Sequence, residues 1–351
     1  MKKVLLYALT TGFGGIEQYL MNIIRYKKEP QKIYGMIILG TNSPYLEELK
    51  QHGVDVFFLR DKYIKVYSVL KQCRKDYDAI YFNTSAIVNP LPYYYAKKLG
   101  YKIIIHSHSS YLPGPRQYLH YINRGIVVNK AKRFACSDLA AKWMFQERNY
   151  EFIPNAIDLD KYKYNPEMRT IIRNKYDISD NDIVLGYVAR LTESKNHLFL
   201  LKVMEQIINK GHTNYKLMMV GDGEERQKLE EITDNIGIKD YVVFCGETRD
   251  ANYYYSSFDQ YVMPSLFEGF PLTVIEAQAA GLKCVISNTI TQNVNVVGDI
   301  VYLPIECNYD QWADTIVNCD IVRNNNIDIL REKGFDVHDF SRYIYNKISG
   351  E

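Results

Sequence analysis

Short apolar runs alternate with amphipathic stretches from one end of this chain to the other. Residues 4–9 read as a buried strand. Behind them Ile16, Tyr19, Leu20, Ile23 and Ile24 recur at helical spacing. The same alternation predicts strands over 33–39, 54–59, 79–82, 102–105, 133–135 and 152–154. Helices are expected between them at 45–51, 66–73, 90–99, 117–129 and 140–145. Residues 159–180 break the rhythm: they are polar and read as a linker with a helical piece. The alternation then restarts, with strands at 183–189, 217–220, 242–244, 259–263, 284–286 and 300–303. Helices are expected at 198–210, 224–236, from Leu272 onward, at 310–317 and at 340–348. Strand–helix alternation with short connections gives a parallel sheet covered on both faces.

The fold class is therefore α/β, with two doubly wound halves. The expected boundaries are 1–160, a linker at 161–180, a second domain at 181–335 and a closing helix at 336–351 that packs back on the first domain. A chain of 351 residues is too long for one core and suits two domains. Ligands in such sheets bind at the carboxyl ends of the strands, here in the cleft between the halves. Net charge is +2, which argues against bulk nucleic-acid binding. The six cysteines form no C-x-x-C pair, so neither a zinc site nor a disulfide framework is suggested, and reduced thiols of a cytoplasmic protein are expected. The first apolar run is too short for a signal peptide, and no run is long enough to cross a membrane.

Candidate chemistry gathers at strand–helix corners. The stretch 264–281, PSLFEGFPLTVIEAQAAG, places Glu268 in a Gly-rich turn and Glu276 in the helix that follows. Backbone N–H groups at such a turn face an anion, and carboxylates accept hydrogen bonds from sugar hydroxyls. A helix with a surface glutamate near each end is the plainer alternative. Gly14 and Gly15 lie in the first strand–helix loop, where a ligand can approach the backbone; their spacing is not that of a dinucleotide fingerprint. Arg190 and Lys195 fall in one turn after a strand, where two cations would neutralise a leaving diphosphate. Gly221 and Gly223 flank Asp222 at another corner, either beside a nucleotide or as the surroundings of a helix cap. His106 and His108 sit where a buried strand ends; with no acidic or Cys partner nearby they do not suggest a metal. His108 suits a hydrogen bond to a transferred sugar, and His106 a structural place.

Gly14-Gly15-x-Glu17, H-S-H at 106–108, PNAID at 154–158, Arg190 with Lys195, GDG at 221–223 and E-x7-E at 268–276 occur in one order. In that order the chain resembles the family-4 glycosyltransferases, and in 287–291 and 302–312 their exopolysaccharide and capsule branch. The resemblance implies a GT-B fold and retaining transfer from a nucleotide diphosphate sugar, UDP-linked by expectation, with no metal and no other cofactor. It implies that Glu268 meets the sugar and Glu276 the ribose. The backbone of Gly269, Phe270, Pro271, Leu272 and Thr273 would face sugar or phosphate, Arg190 and Lys195 would hold the diphosphate, and His108 would face the anomeric centre. Ala156 stands where the usual motif has Gly, and Gln292-Asn293 where an acidic residue is frequent.

The charge pattern adds a partner. Residues 79–137 hold no Asp or Glu but carry eight Lys and Arg residues and eight tyrosines, among them those at 93–95, 111, 118 and 121. Such a one-sided field with interfacial tyrosines fits an anionic membrane surface. The expected partners are thus a nucleotide sugar donor, a lipid-linked acceptor and the inner face of the plasma membrane, with no nucleic acid. A nucleotide-sugar epimerase and a non-catalytic nucleotide-sugar-binding module are the competing readings; donor consumption that depends on an acceptor separates them.

Overall fold

The computed structural model describes residues 3–10, 15–28, 33–59, 65–248, 250–306 and 308–350. The chain divides into two compact units, residues 1–157 with 334–351, and residues 158–333.

The first unit is built on seven parallel strands: β1 (Val4–Leu9), β2 (Tyr34–Leu39), β3 (Asp55–Leu59), β4 (Ala79–Thr84), β5 (Lys102–Ser107), β6 (Lys132–Ala135) and β7 (Glu151–Phe152). Their order is β3-β2-β1-β4-β5-β6-β7. Helices α1 (Gly15–Arg25), α2 (Leu46–Gln51), α3 (Val66–Cys73), α4 (Leu91–Lys98), α5 (Arg116–Val127) and α6 (Asp138–Phe145) connect them. Strands β1, β2 and β4 are buried along nearly their whole length, as covered parallel strands must be. β5 runs two residues past its predicted end, because its ladder with β4 continues through Asn83↔His106 and Thr84↔Ser107.

The second unit opens with α7 (Leu159–Tyr162) and α8 (Pro166–Lys175). The expected linker at 161–180 is therefore a correction: this segment belongs to the second unit. Asn165 caps α8 by accepting from the N–H groups of Glu167 and Met168, with Pro166 at the first helical position. Its polar composition misled because its most buried side chain is an arginine. Arg173 is fully enclosed, donating to Asp259 at 2.5 Å and to the carbonyls of Ser179, Asp182 and Ser257. Arg169 takes the other Asp259 oxygen at 2.7 Å.

Six parallel strands follow: β8 (Ile183–Val188), β9 (Tyr215–Val220), β10 (Val242–Gly246), β11 (Gln260–Met263), β12 (Lys283–Ser287) and β13 (Ile300–Leu303). They are ordered β10-β9-β8-β11-β12-β13. Helices α9 (His197–Asn209), α10 (Arg226–Asn235), α11 (Ala251–Ser257), α12 (Leu272–Ala279), α13 (Tyr309–Asn318) and α14 (Ile327–Glu332) flank the sheet. The short α14 has no counterpart among the predicted elements. Trp312 of α13 is fully buried, its ring 5.3 Å from that of Phe199 and its indole N–H on the carbonyl of Pro304.

The last helix, α15 (Val337–Ser349), returns to the first unit. Its Val337, Phe340, Ile344 and Ile348 join one core with Tyr19, Leu20, Ile23 and Ile24 of α1. Ser341 donates to the Ile23 carbonyl, and Asp336 caps the helix through the N–H of His338. The five described cysteines are unbridged.

Candidate active site

Each sheet reverses its strand order once, between β1 and β4 in the first unit and between β8 and β11 in the second. At such a switch the loops after two adjacent strands diverge and leave room for a ligand. Most of the candidate residues lie at or next to these two places, and each unit is described by itself.

In the second unit, β8 and β11 pair directly, Leu185 against Gln260 and Gly186 against Tyr261. Gly186 is required here: a Cβ would lie 2.0 Å from the Phe258 ring. The pairing sets the loop after β8 beside the loop after β11, and the two are stitched together. Leu266 N–H donates to the Ser194 carbonyl at 2.9 Å, and Asn196, at φ +57°, donates its amide to the Pro264 carbonyl. The Lys195 ammonium thereby meets the Glu268 carboxylate in an ion pair. Ser265 Oγ donates to the same Glu268 oxygen at 3.0 Å. Tyr187 OH donates to the Lys195 carbonyl and lies 2.8 Å from Ser265 Oγ. Tyr187, Ser265 and Asn196 are supports that no motif announced, although two of them lie inside stretches with other recognisable residues.

Glu268 precedes α12, whose N-terminal turn has no acidic residue and no side-chain cap. Phe270 and Pro271 are buried under this turn, with Leu272 and Thr273 half-buried at its start. That end of the helix offers N–H groups and positive potential. Glu276, within α12, has different partners from Glu268. Tyr255 OH donates to its Oε2 at 2.6 Å, Tyr162 also bonds it, and burial raises its carboxyl above the ordinary range.

Arg190 and the glycines of GDG part company with Lys195. Arg190 is exposed, its guanidinium 3.9 Å from Glu224. Gly221 and Gly223 bring two loops into backbone contact. Gly221 is at φ +139° and a Cβ there would lie 2.0 Å from the Ala189 carbonyl oxygen; at Gly223 it would lie 2.4 Å from that of Leu191. Leu191 N–H bonds the Asp222 carbonyl, and Glu225 N–H bonds that of Leu191. Asp222 does not cap α10; its carboxylate accepts from Gly223 N–H and from Arg226.

In the first unit, Gly14 lies outside the described residues, and Gly15 opens α1 with open space around it. His106, in β5, and His108, just past its end, have ring centroids 4.0 Å apart. His106 is fully buried and takes Tyr81 OH at 2.6 Å, which in turn lies 2.8 Å from Tyr19 OH. His108 is half-buried, 2.9 Å from Asn83 Oδ1 through Nε2, with the Tyr19 ring 4.8 Å away. Burial pushes His106 well below the ordinary imidazole range and His108 down to about 3, so both are neutral near pH 7. Asn83, at the end of β4, is a partner that no motif or spacing marked.

Residues 168–325 match the family described as glycosyl transferases group 1. The Bacillus subtilis protein named as glycosyltransferase EpsF is 29% identical over 86% of this chain and 84% of its own length. An Escherichia coli protein named UDP-Gal:alpha-D-GlcNAc-diphosphoundecaprenol alpha-1,3-galactosyltransferase is 30% identical over 47% of this chain and 43% of its own. Among solved structures, Anabaena Alr3699/HepE in complex with UDP superposes with a TM-score of 0.84 at 18% identity, covering 99% of this chain and 100% of that one. The two units are thus the Rossmann-like domains of a GT-B fold. The second belongs to the glycosyl transferases group 1 family, and the chain is a glycosyltransferase.

Proposed function

We propose that this enzyme moves a hexose or N-acetylhexosamine, with retention of configuration, from a UDP-linked nucleotide sugar to a growing, lipid-linked polysaccharide repeat unit. The observation that carries the reading is the Lys195–Glu268 pair set before the uncapped N-terminus of α12, in the matched glycosyl transferases group 1 domain. Two names support the finer terms. A structure of the HepE protein holds UDP-glucose, and the E. coli relative is named for a diphosphoundecaprenol-linked acceptor.

In this reading the second unit binds the donor. Glu268 accepts from sugar hydroxyls and Glu276 from the ribose, while Lys195 offsets the charge that grows on the departing diphosphate. The N–H groups of Gly269, Phe270, Leu272 and Thr273 face the sugar and phosphate. The first unit takes the acceptor, and His108, neutral and aimed by Asn83, hydrogen-bonds the transferred sugar. The acceptor hydroxyl attacks the anomeric carbon on the face the phosphate leaves, and its proton passes to the departing phosphate oxygen. This route needs no metal and no carboxylate nucleophile; turnover unchanged by a chelator is the expected result.

Membrane association is part of the same proposal, at the inner face of the plasma membrane. None of the helices is long and apolar enough to cross a membrane among the described residues. The support is the outer face of α5. Tyr118, Ile122 and Ile126 are 66%, 66% and 75% exposed, one helical turn apart, with Arg116 and Arg124 on the same helix.

A donor panel of UDP-glucose, UDP-galactose, UDP-N-acetylglucosamine and GDP-mannose, read by released nucleotide with and without a lipid diphosphate acceptor, tests the assignment. Release with one UDP-sugar that depends on the acceptor, and an anomeric NMR signal that keeps its configuration, are expected. Donor turnover indifferent to the acceptor overturns it in favour of an epimerase. Vesicle flotation tests the membrane part: enrichment on phosphatidylglycerol over phosphatidylcholine vesicles is expected, and equal binding counts against it.

A further inference from the structure

The first unit has a second concavity, far along its strands from His106 and His108. It opens between α4 and α5 at the amino-terminal ends of β5 and β6, the opposite end of the sheet from the switch-point site. Its volume is about 870 Å³, within the range of roughly 300–1,000 Å³ that small-molecule sites occupy. Leu91 and Tyr94 line it from α4, Ile126 and Val127 from α5, and Ile103 from β5. Tyr94 and Ile126 are 59% and 75% exposed, so the groove and the outer stripe of α5 form one continuous apolar surface.

The rim is cationic. Lys97, Lys102, Lys130 and Lys132 all border the groove. Lys132 is engaged: it donates to the Lys347 carbonyl at 2.8 Å and lies 3.9 Å from Glu151. Lys97, Lys102 and Lys130 have no acidic partner among the described residues. No Asp or Glu occurs anywhere from 79 to 137 to supply one. Three ammonium groups with no acidic partner among the described residues, around an apolar groove, make an environment for a molecule with a hydrocarbon chain and an anionic head.

We infer that this groove binds one anionic membrane phospholipid, its acyl chain between α4 and α5 and its phosphate on Lys97, Lys102 and Lys130. Charge complementarity selects an anionic head over a zwitterionic one. Continuity with the α5 stripe selects a lipid that comes from the bilayer the stripe rests on. In this respect the inference rests on the membrane reading above. Its consequence is that attachment has two parts, a screened electrostatic approach and a lipid-specific grip that high salt weakens less.

The test uses the full chain and a lipid that is monomeric in water. Dihexanoyl phosphatidylglycerol, titrated below its micelle concentration and followed by NMR or calorimetry, is expected to bind saturably with one lipid per chain. Dihexanoyl phosphatidylcholine should bind at least tenfold more weakly. Val127→Trp, which fills the groove, should weaken phosphatidylglycerol binding at least tenfold while thermal unfolding stays within a few degrees of the parent. Leu91→Trp, from the opposite wall, is the second variant should the first fail to fold. Absence of saturable binding, or binding unchanged in both folded variants, overturns the site. Equal binding of the two headgroups overturns the lysine assignment, and tighter binding of farnesyl phosphate overturns the acyl-chain assignment in favour of an isoprenoid. Flotation of the parent chain separates the two ideas. If the chain ignores anionic vesicles yet binds monomeric lipid, the membrane reading fails and the groove stands; if it floats and the Trp variants float equally, with no monomer binding, the reverse holds.

Discussion

Glu268 has two donors on one oxygen, the Lys195 ammonium and Ser265 Oγ. Its carboxylate and the N–H groups after it are what a sugar would meet. Glu268→Gln keeps the shape but removes the charge that holds Lys195, and Lys195→Ala removes the cation beside the leaving group. Each is expected to lower kcat about 100-fold, or about 2.7 kcal/mol, measured as nucleotide release with the preferred UDP-sugar. Turnover within twofold of the parent in both would remove the pair from the machinery. The histidines make a pH prediction. Burial holds His108 at about 3 and His120 at about 4, against an ordinary 6.5. Below pH 6.5 the unfolded chain binds protons that the native state refuses, so their contribution is complete above pH 6.5 and is lost as pH falls toward those values. Between pH 7 and 5 each group accounts for about 2 kcal/mol of lost stability. His120→Gln should therefore flatten the drop in urea midpoint between these pH values; an unchanged drop would clear His120 of the effect. Glu268, Lys195 and His108 were legible from motif order. Asn83, Ser265 and Tyr187 were not, because an amide or hydroxyl that orients another side chain carries no pattern of its own.

At the level of elements, the second unit depends on an arginine cluster where a linker was expected. Arg169, Arg173 and Arg323 converge on Asp259 and on the carbonyls at the end of α11: Arg323 donates to Phe258, Arg173 to Ser257. Cations suit the negative end of a helix. Asp259 supplies the carboxylate that Arg169 and Arg173 bond, and it also accepts from Val184 N–H at 2.7 Å. Asp259→Ala leaves a buried guanidinium without its counterion and should destabilise by about 3–5 kcal/mol in chemical denaturation. The corner glycines make a separate case. Gly223→Ala presses a methyl against the Leu191 carbonyl, and the 189–191 loop must move. Donor KM should rise several-fold, with about 1–3 kcal/mol of stability lost. Hydrophobic periodicity located most strands and helices within a few residues of their observed ends. It failed at α8, whose most buried side chain is an arginine, and at the six-residue α14, which is too short for a period to show.

On the scale of the whole molecule, the chain leaves its first unit and comes back to it with α15. Phe340 is almost fully buried among the side chains of α1 and the first sheet. Phe340→Ala should cost about 3–5 kcal/mol. Hydrogen exchange is expected to quicken in β1 to β7 while β8 to β13 are spared; uniform protection would contradict the grouping of α15 with the first unit. The α/β class, the restart of the alternation in the second half, the acid-free basic field of 79–137 and the Pro264–Gly281 stretch are all legible in the primary structure. Each is a local property, a period of two or 3.6 or a run of composition, read off neighbouring residues. Which of these residues meet is a matter of the folded chain. Lys195 and Glu268 are 73 residues apart and meet because β11 lies beside β8 in the sheet order. Arg190, five residues before Lys195, points elsewhere. Strand order is settled by the packing of the whole sheet, and no local pattern encodes it.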